Sequence, residues 1–560
     1  MSDSNLANGG RILVDQLVAE GVDRAFGVPG ESYLAVLDAL YDTQEITFHL
    51  CRQEGGAAMM ADAYGKLTGK PGICFVTRGP GATSASAGVH VAFQDSTPMI
   101  LFIGQVARDM VEREAFQEID YRRMFGELSK WVAQIDEAAR IPEFVSRAFH
   151  TATSGRPGPV VLALPEDMLS ASLPAPPLAK PYTPSAGYPA PQQLATLRQK
   201  FEQSERPLII VGGGGWSVAA KSDLEGFAAA NHVPVAVSFR CQDYLDNDHD
   251  CYVGQVGIGI DPKLAARVKD SDLLVLLGCR FGEMTSSGYS LMQIPNPEQA
   301  LVHVYPGAEE LGRVYRPDLP IQAGGADFAA ALAVMEPLDS GRWDAWTAAA
   351  RADYLAHNRP TAMPGPLQLG EIVDWLDKTL PPETIFCNGA GNYTTWLQRI
   401  HRFRRYRSQL APTSGSMGYG LPAAVAAKAV HPDRPVVCFA GDGCFLMHGQ
   451  ELATAVQYGL NIIVLVINNN MLGTIRMHQE RHYPGRVSAT DFVNPDFAAY
   501  ARAFGAHGEV VERTEDFAAA FARAQAAGKP ALLELRIDPE AITPTATLSG
   551  LREAALASAE

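Results

Sequence analysis

Short apolar runs bounded by turn residues alternate along this chain with stretches whose apolar residues fall at helical spacing. Pro435-Val436-Val437-Cys438-Phe439-Ala440 is one such run, and its length and flanks predict a strand buried on both faces. Over residues 445–458 the apolar positions return every three or four residues, and Gly459-Leu460-Asn461 stops that helix before a second apolar run at 462–467. A strand, a helix and a strand in this order predict a crossover between parallel neighbours. Residues 208–211, 233–237, 273–277 and 384–387 carry the same strand pattern. The fold class is therefore α/β, with doubly wound parallel sheets.

The chain has 560 residues, 47% of them apolar, which is too long for one core and predicts about three domains. Prolines 174, 176, 177, 181, 184, 189 and 191 mark a semi-extended linker. A second seam precedes Met363-Pro364-Gly365-Pro366. These seams divide the chain into a first domain (1–172), a linker (173–191), a middle domain (192–340), a second linker (341–366), a last domain (367–545) and a tail (546–560). A net charge of −16 argues against nucleic-acid binding. Eight cysteines lack paired spacing, several inside apolar strands, and thirteen histidines show no zinc-like pattern, as expected of reduced thiols in a cytoplasmic protein. Residues 1–10 do not read as a signal peptide, and no apolar run approaches membrane-spanning length.

The candidate chemistry sits at the ends of the two strands described first. Gly441-Asp442-Gly443 follows one and Asn468-Asn469 ends the other, so Asp442 and Asn469 fall on the carboxyl edge of a parallel sheet, where such sheets bind ligands. Asp-Gly and Asn-Asn are also common turn dipeptides; the strand-helix-strand unit between them points to a shared site. A carboxylate and an amide oxygen suit a hard cation such as Mg²⁺, which takes its remaining ligands from phosphate and water. The backbone N–H groups of Gly443 and Cys444 can face the same phosphates.

The stretch from Gly441-Asp442-Gly443-Cys444-Phe445 through Gln450-Glu451-Leu452-Ala453-Thr454 to Asn468-Asn469-Asn470-Met471-Leu472-Gly473 resembles thiamine-diphosphate enzymes. It is most similar to acetolactate synthase catalytic subunits. Gln53-Glu54-Gly55-Gly56-Ala57, Gly79-Pro80-Gly81-Ala82-Thr83 and Ala115-Phe116-Gln117-Glu118 extend the resemblance to the amino end. It implies pyrimidine-binding, middle and diphosphate-binding domains, with Asp442, Asn469 and the Met471 carbonyl on Mg²⁺. Leu472 and Gly473 follow in the same cofactor loop. Ala390, Gly391, Asn392 and Tyr393 resemble a second phosphate-side loop, although family members often have Gln-His where this chain has Asn392-Tyr393. Met417 resembles the apolar wedge that bends the cofactor, flanked by Gly415 and Ser416. Pro80 resembles a further cofactor contact. Glu54 is implied to hydrogen-bond the aminopyrimidine ring and to activate the thiazolium carbon. Read by itself, Glu54 is a carboxylate at a helix start, where the macrodipole favours it.

Phe116, Gln117, Met284, Thr474 and His478 are the implied substrate-side residues, with Gln117 facing the reacting carbon. Two of them depart from the family: Met284 stands where acetolactate synthases place an arginine, and His478 where they place a tryptophan. Methionine makes no bidentate contact to a carboxylate. The middle domain of the family holds FAD, ADP or nothing; tight strand-to-helix packing explains Gly212 to Gly215 after a predicted strand without any ligand, and this structural reading is favoured over a FAD or ADP site. The implied activity is decarboxylation of a 2-oxo acid such as pyruvate and carboligation of the enamine to a second carbonyl. A 2-oxo acid decarboxylase, a 2-hydroxyacyl-CoA lyase and a non-catalytic cofactor binder remain alternatives. The resemblance also implies a homodimer with active sites at its interface, doubled to a homotetramer, and names no regulatory subunit.

Overall fold

The computed structural model describes residues 6–184, 187–491 and 493–558. Three six-stranded sheets, all with parallel neighbours, organise the chain. The first contains β1 (Arg24–Gly27), β2 (Thr47–Leu50), β3 (Gly72–Val76), β4 (Met99–Gln105), β5 (Trp131–Gln134) and β6 (Pro159–Pro165) in the order β2-β1-β3-β4-β6-β5. The second contains β7 (Pro207–Val211), β8 (Val235–Val237), β9 (Tyr252–Gln255), β10 (Leu273–Leu277), β11 (Ala300–Tyr305) and β12 (Leu319–Gln322) in the order β9-β8-β7-β10-β11-β12. The third contains β13 (Ile385–Asn388), β14 (Gln409–Leu410), β15 (Val436–Gly441), β16 (Ile463–Asn468), β17 (His507–Val511) and β18 (Ala531–Arg536) in the order β14-β13-β15-β16-β18-β17. Helices flank each sheet, which is why the central strands β3, β10 and β15 are buried throughout.

The backbone groups into two compact units. One takes the first sheet together with residues 421–432 and 448–460, and the other takes the second and third sheets. In the first unit the important helices are α1 (Glu54–Thr68) and α2 (Pro80–Asp95). In the last third of the chain they are α3 (Asp442–His448), α4 (Leu452–Gln457), α5 (Gly473–His482) and α6 (Leu548–Ala557).

The single helix expected over 445–458 is broken by a 3-10 turn at Gly449–Glu451. Glu451, within that turn, is fully buried instead of facing water. Residues 546–557, read as a tail, form a short strand and α6. Arg552 on α6 donates to Glu480 on α5 at 2.8 and 2.5 Å. The region 341–366, read as linker, carries the helix Asp344–His357. In the second sheet close approach explains Gly212 and Gly213, where a Cβ would lie 2.0 Å from Ser238 Oγ and 1.8 Å from the Gly278 carbonyl oxygen, whereas Gly215 is set by its φ of +79. All eight cysteines are buried and free. Among the described residues no helix is long and apolar enough to cross a membrane.

Candidate functional site

A cavity of about 250 Å³ opens at the carboxyl edge of the third sheet. The chain leaves β13 outward to β14 and returns to β15 on the other side, so the loops after β13 and β15 diverge at a topological switch point and leave a crevice between them. The loop after β13 contributes Ala390, Gly391, Asn392 and Tyr393, and the segment after β14 contributes Gly415 and Met417. Gly441, Asp442, Gly443 and Cys444 line it at the end of β15; Asn469, Met471, Leu472, Gly473 and Thr474 line it after β16. Trp396, Ile467, Ile475, Ile537, Ala541 and Ile542 supply an apolar wall. Asp442 is the one charged side chain among the described lining residues.

The register Gly441↔Ile467 brings the ends of β15 and β16 level. Asp442 is buried, and that burial pushes its carboxyl above the usual range, opposed by hydrogen bonds from Gly443, Asn494, Asn470 and Asn469. Oδ1 accepts from the Gly443 N–H at 2.9 Å, and Oδ2 accepts from Asn494 Nδ2 at 2.8 Å. The two adjacent asparagines divide their work. Asn468 is buried; its Nδ2 donates to Glu534 at 2.8 Å, and its Oδ1 accepts from the Asn470 N–H at 3.0 Å and from Asn494 Nδ2 at 2.9 Å. It pins the turn. Asn470 takes φ +55 there, a conformation asparagine tolerates. Asn469 is thereby left facing the cavity, where its Oδ1 accepts from the Met471 N–H at 3.3 Å. No cluster of three His, Cys, Asp or Glu side chains with metal-holding geometry occurs among the described residues. A cation here would rest on one carboxylate, one amide and backbone carbonyls, a donor set that suits Mg²⁺ better than zinc.

Glycines make room for the second loop. Cβ atoms on Gly391 and Gly441 would lie 2.6 and 2.8 Å from the Tyr393 ring, so this aromatic side chain packs between two bare backbones. Its hydroxyl donates to Cys444 Sγ at 3.2 Å, and the Gly418 N–H donates to the same sulfur at 3.2 Å. Asn392 is tied to α5: its N–H donates to Thr474 Oγ1 at 3.1 Å, and its Oδ1 accepts from that hydroxyl at 2.9 Å. The side chains of Asn392 and Tyr393 are thus occupied with holding the loop.

Glu54 belongs to the other unit, as the first residue of α1 at the carboxyl edge of the first sheet. It is half-buried, and its Oε1 lies 3.5 Å from the position a Cβ would take on Gly81. Pro80 beside it is exposed at the start of α2. Gly79 has φ +59, and its Cβ position lies 2.7 Å from Gln117 Cβ. The Gly79 N–H donates to the Tyr121 hydroxyl at 2.9 Å, and Arg78 Nε donates to the Phe116 carbonyl at 3.1 Å. Glu54, Pro80 and Gln117 therefore form one group, with Phe116 beside it and 71% exposed.

Glu54, Pro80, Phe116 and Gln117 belong to the first unit and do not line this cavity, and three expected residues of the second unit do not line it either. Ser416 turns its hydroxyl back to the Met417 carbonyl at 3.2 Å. Met284 lies in the loop after β10 and is 40% exposed. His478 points outward from α5 and stacks on His482, 8° from parallel. Conversely, the sequence reading missed Asn494, Glu451 and the apolar wall. Asn494-Pro495 reads as an ordinary loop, and nothing local to it points back to Asp442, 52 positions away.

Known protein families match along the chain in three consecutive blocks. The thiamine pyrophosphate enzyme N-terminal TPP binding domain matches residues 7–124, the central domain 194–332, and the C-terminal TPP binding domain 389–535. The acetolactate synthase isozyme 2 large subunit of Escherichia coli is 31% identical, covering 95% of this chain and 96% of that one. The probable acetolactate synthase large subunit of Methanocaldococcus jannaschii is 31% identical, covering 96% and 93%. The acetolactate synthase large subunit of Corynebacterium glutamicum is 30% identical, covering 92% and 84%.

Proposed function

The chain belongs to the thiamine pyrophosphate enzyme family, alongside acetolactate synthase large subunits, and from that premise we propose that it is a thiamine-diphosphate-dependent carboligase. It decarboxylates a 2-oxo acid such as pyruvate and joins the retained carbons to a second carbonyl. The observation that carries this reading is the chemistry of the cavity lining: one buried carboxylate, the side-chain amide of Asn469 and glycine backbone beside an apolar wall, and no lysine or arginine among the described lining residues. A diphosphate placed there must be neutralised by something other than a basic side chain. Mg²⁺ on Asp442, Asn469 and the Met471 carbonyl meets that need.

Thiamine diphosphate, when bound, supplies the carbon nucleophile and the electron sink for CO₂ loss. Gly443, Cys444 and the Ala390–Tyr393 loop would hold the diphosphate by backbone groups, and Met417 would support the ring system. Glu54 is assigned the proton on the aminopyrimidine side, with Gln117 and Phe116 near the substrate. The apolar wall excludes water, which favours loss of the charged carboxylate as neutral CO₂. We assign Glu54 to the cavity of a second copy, so the active form is at least a homodimer, doubled to a tetramer.

The test incubates purified protein with thiamine diphosphate, Mg²⁺ and pyruvate, and records CO₂ and carbon products. Acetolactate is the expected product, and Glu54→Gln is expected to abolish its formation while keeping cofactor binding. Met284, with no charge to offer a second keto acid, favours a second reading. Aldehyde as the sole product, or turnover only with an acyl-CoA, would replace the carboligase with a decarboxylase or a 2-hydroxyacyl-CoA lyase.

A further inference from the structure

Glu451 is a completely buried acid in the first unit that the proposed chemistry does not use, with no exposed surface. A carboxylate so placed is costly unless every oxygen is paired. Its partners show what it is for. Oε1 accepts from the Arg52 N–H at 3.0 Å and from the Gln53 N–H at 2.9 Å. Oε2 accepts from the Thr454 hydroxyl at 2.6 Å and shares the Arg52 N–H at 3.2 Å. Both backbone donors belong to the two residues immediately before Glu54.

The rest of the same segment grips the same stretch of chain. Tyr458 Oη accepts from the Leu50 N–H at 2.7 Å and donates to the Phe48 carbonyl at 3.3 Å. Gln53 Oε1 accepts from the Gly56 N–H at 3.0 Å, capping α1, and meets His448 Nε2 at 3.1 Å. A Cβ on Gly56 would lie 2.9 Å from Glu451 Oε1, so glycine there lets the carboxylate close on the helix start. The backbone from the end of β2 to the first turn of α1 is thus held by side chains of residues 448–458. The break in the helix at Gly449–Glu451 turns Glu451 inward to do so.

We propose that Glu451 is a positioning residue for Glu54, fixing through the Arg52 and Gln53 N–H groups where the Glu54 carboxylate points. This rests on the reading that Glu54 activates the cofactor. What the site requires of residue 451 is an acceptor oxygen. Oε1 takes the Gln53 N–H and the shorter Arg52 bond, so glutamine can keep both while its amide N–H faces the Thr454 hydroxyl, which accepts as readily as it donates.

The test is deuterium exchange at the thiazolium C2–H of bound thiamine diphosphate, followed by acid quench and NMR. It uses the full-length Mg²⁺-loaded protein at saturating cofactor without substrate, with cofactor affinity measured alongside by fluorescence. Glu451→Ala is expected to slow exchange about 100-fold, the effect of displacing a reacting group by about 1 Å, with cofactor affinity within about threefold of wild type. Glu451→Gln is expected to exchange within about threefold of wild type. Exchange at the wild-type rate in Glu451→Ala overturns the proposal; so does an equal fall in Glu451→Gln, because the charge and not the acceptor would then be what matters. Should Glu451→Ala not fold, Thr454→Val carries the test: it frees Oε2 and is expected to slow exchange about tenfold, one hydrogen bond's worth, and a wild-type rate overturns the proposal. Glu54→Gln separates the two readings. Its exchange must collapse for the Glu54 assignment to stand, whereas collapse there with normal exchange in the Glu451 and Thr454 variants refutes positioning alone.

Discussion

Replacing Asp442 with asparagine keeps the shape of the side chain and removes the single charge among the described lining residues of the cavity. The consequence is best read as ligand-linked stability. With free Mg²⁺-thiamine diphosphate at 100 times its dissociation constant, a wild-type site gains about 2.7 kcal/mol. Loss of even an outer partner of a metal site weakens affinity by about 10- to 100-fold, and Asp442 is proposed as a direct ligand. A 100-fold weaker site at the same concentration sits at its dissociation constant and gains RT ln 2, about 0.4 kcal/mol. At roughly 1–2 °C per kcal/mol for a cooperative unit as large as the one that carries the cavity, the melting temperature should rise by roughly 3–5 °C in wild type and by less than about 1 °C in Asp442→Asn. The shift is taken within each variant, with and without ligand. The altered contacts to Gly443 and Asn494 in the free protein therefore cancel. Calorimetry or dye-based melting checks it, and an Asp442→Asn shift above half the wild-type value would refute the cavity's role as the metal-diphosphate site.

Asn494→Ala removes the amide that ties Asp442 to Asn468 and is expected to weaken Mg²⁺ about tenfold; a magnesium titration of cofactor binding with an unchanged midpoint would remove Asn494 from the site. Asp243 tests the packing of the second unit by pH. Burial pushes its carboxyl up to about 6 from 3.8, even though it accepts from the Gln409 and Ser408 N–H groups. The folded chain therefore keeps this proton at pH values where the unfolded chain has lost it. The stability contribution is full below about pH 4 and falls as pH rises through 6. Asp243→Asn should abolish that fall, so melting curves should show the variant gaining on wild type between pH 4 and 6 and then running parallel. A wild-type-to-variant difference independent of pH would contradict this.

The residues legible in the sequence share one property: their placement is decided by their immediate neighbours. Asp442 and Asn469 stand just past apolar runs whose ends are marked by glycine and asparagine, and strand ends in parallel sheets share an edge. Glu451 was hidden because its partners lie 398 and 399 positions away, and the apolar spacing around it reads as uninterrupted helix. Tyr393 was hidden in a different way: its position was legible, but its packing between Gly391 and Gly441 is a three-dimensional coincidence of two loops.

The sheet orders show why the chemistry falls where it does. Numbered within each sheet, the first and third follow the same path, 2-1-3-4-6-5, and the useful loops occupy matching places in both. The connection after the second strand carries Glu54 in one sheet and Gly415 to Met417 in the other; the turn after the third carries Gly79-Pro80-Gly81 in one and Gly441-Asp442-Gly443 in the other. The same two loops on the same edge thus carry different side chains, an acid and its glycine-lined approach in the first unit, and in the second the turn proposed to hold the metal and the methionine proposed as the wedge. A topology that opens a crevice beside its third strand offers that edge whatever the sequence; in the proposed reaction, the residues at these two loops decide which half it serves.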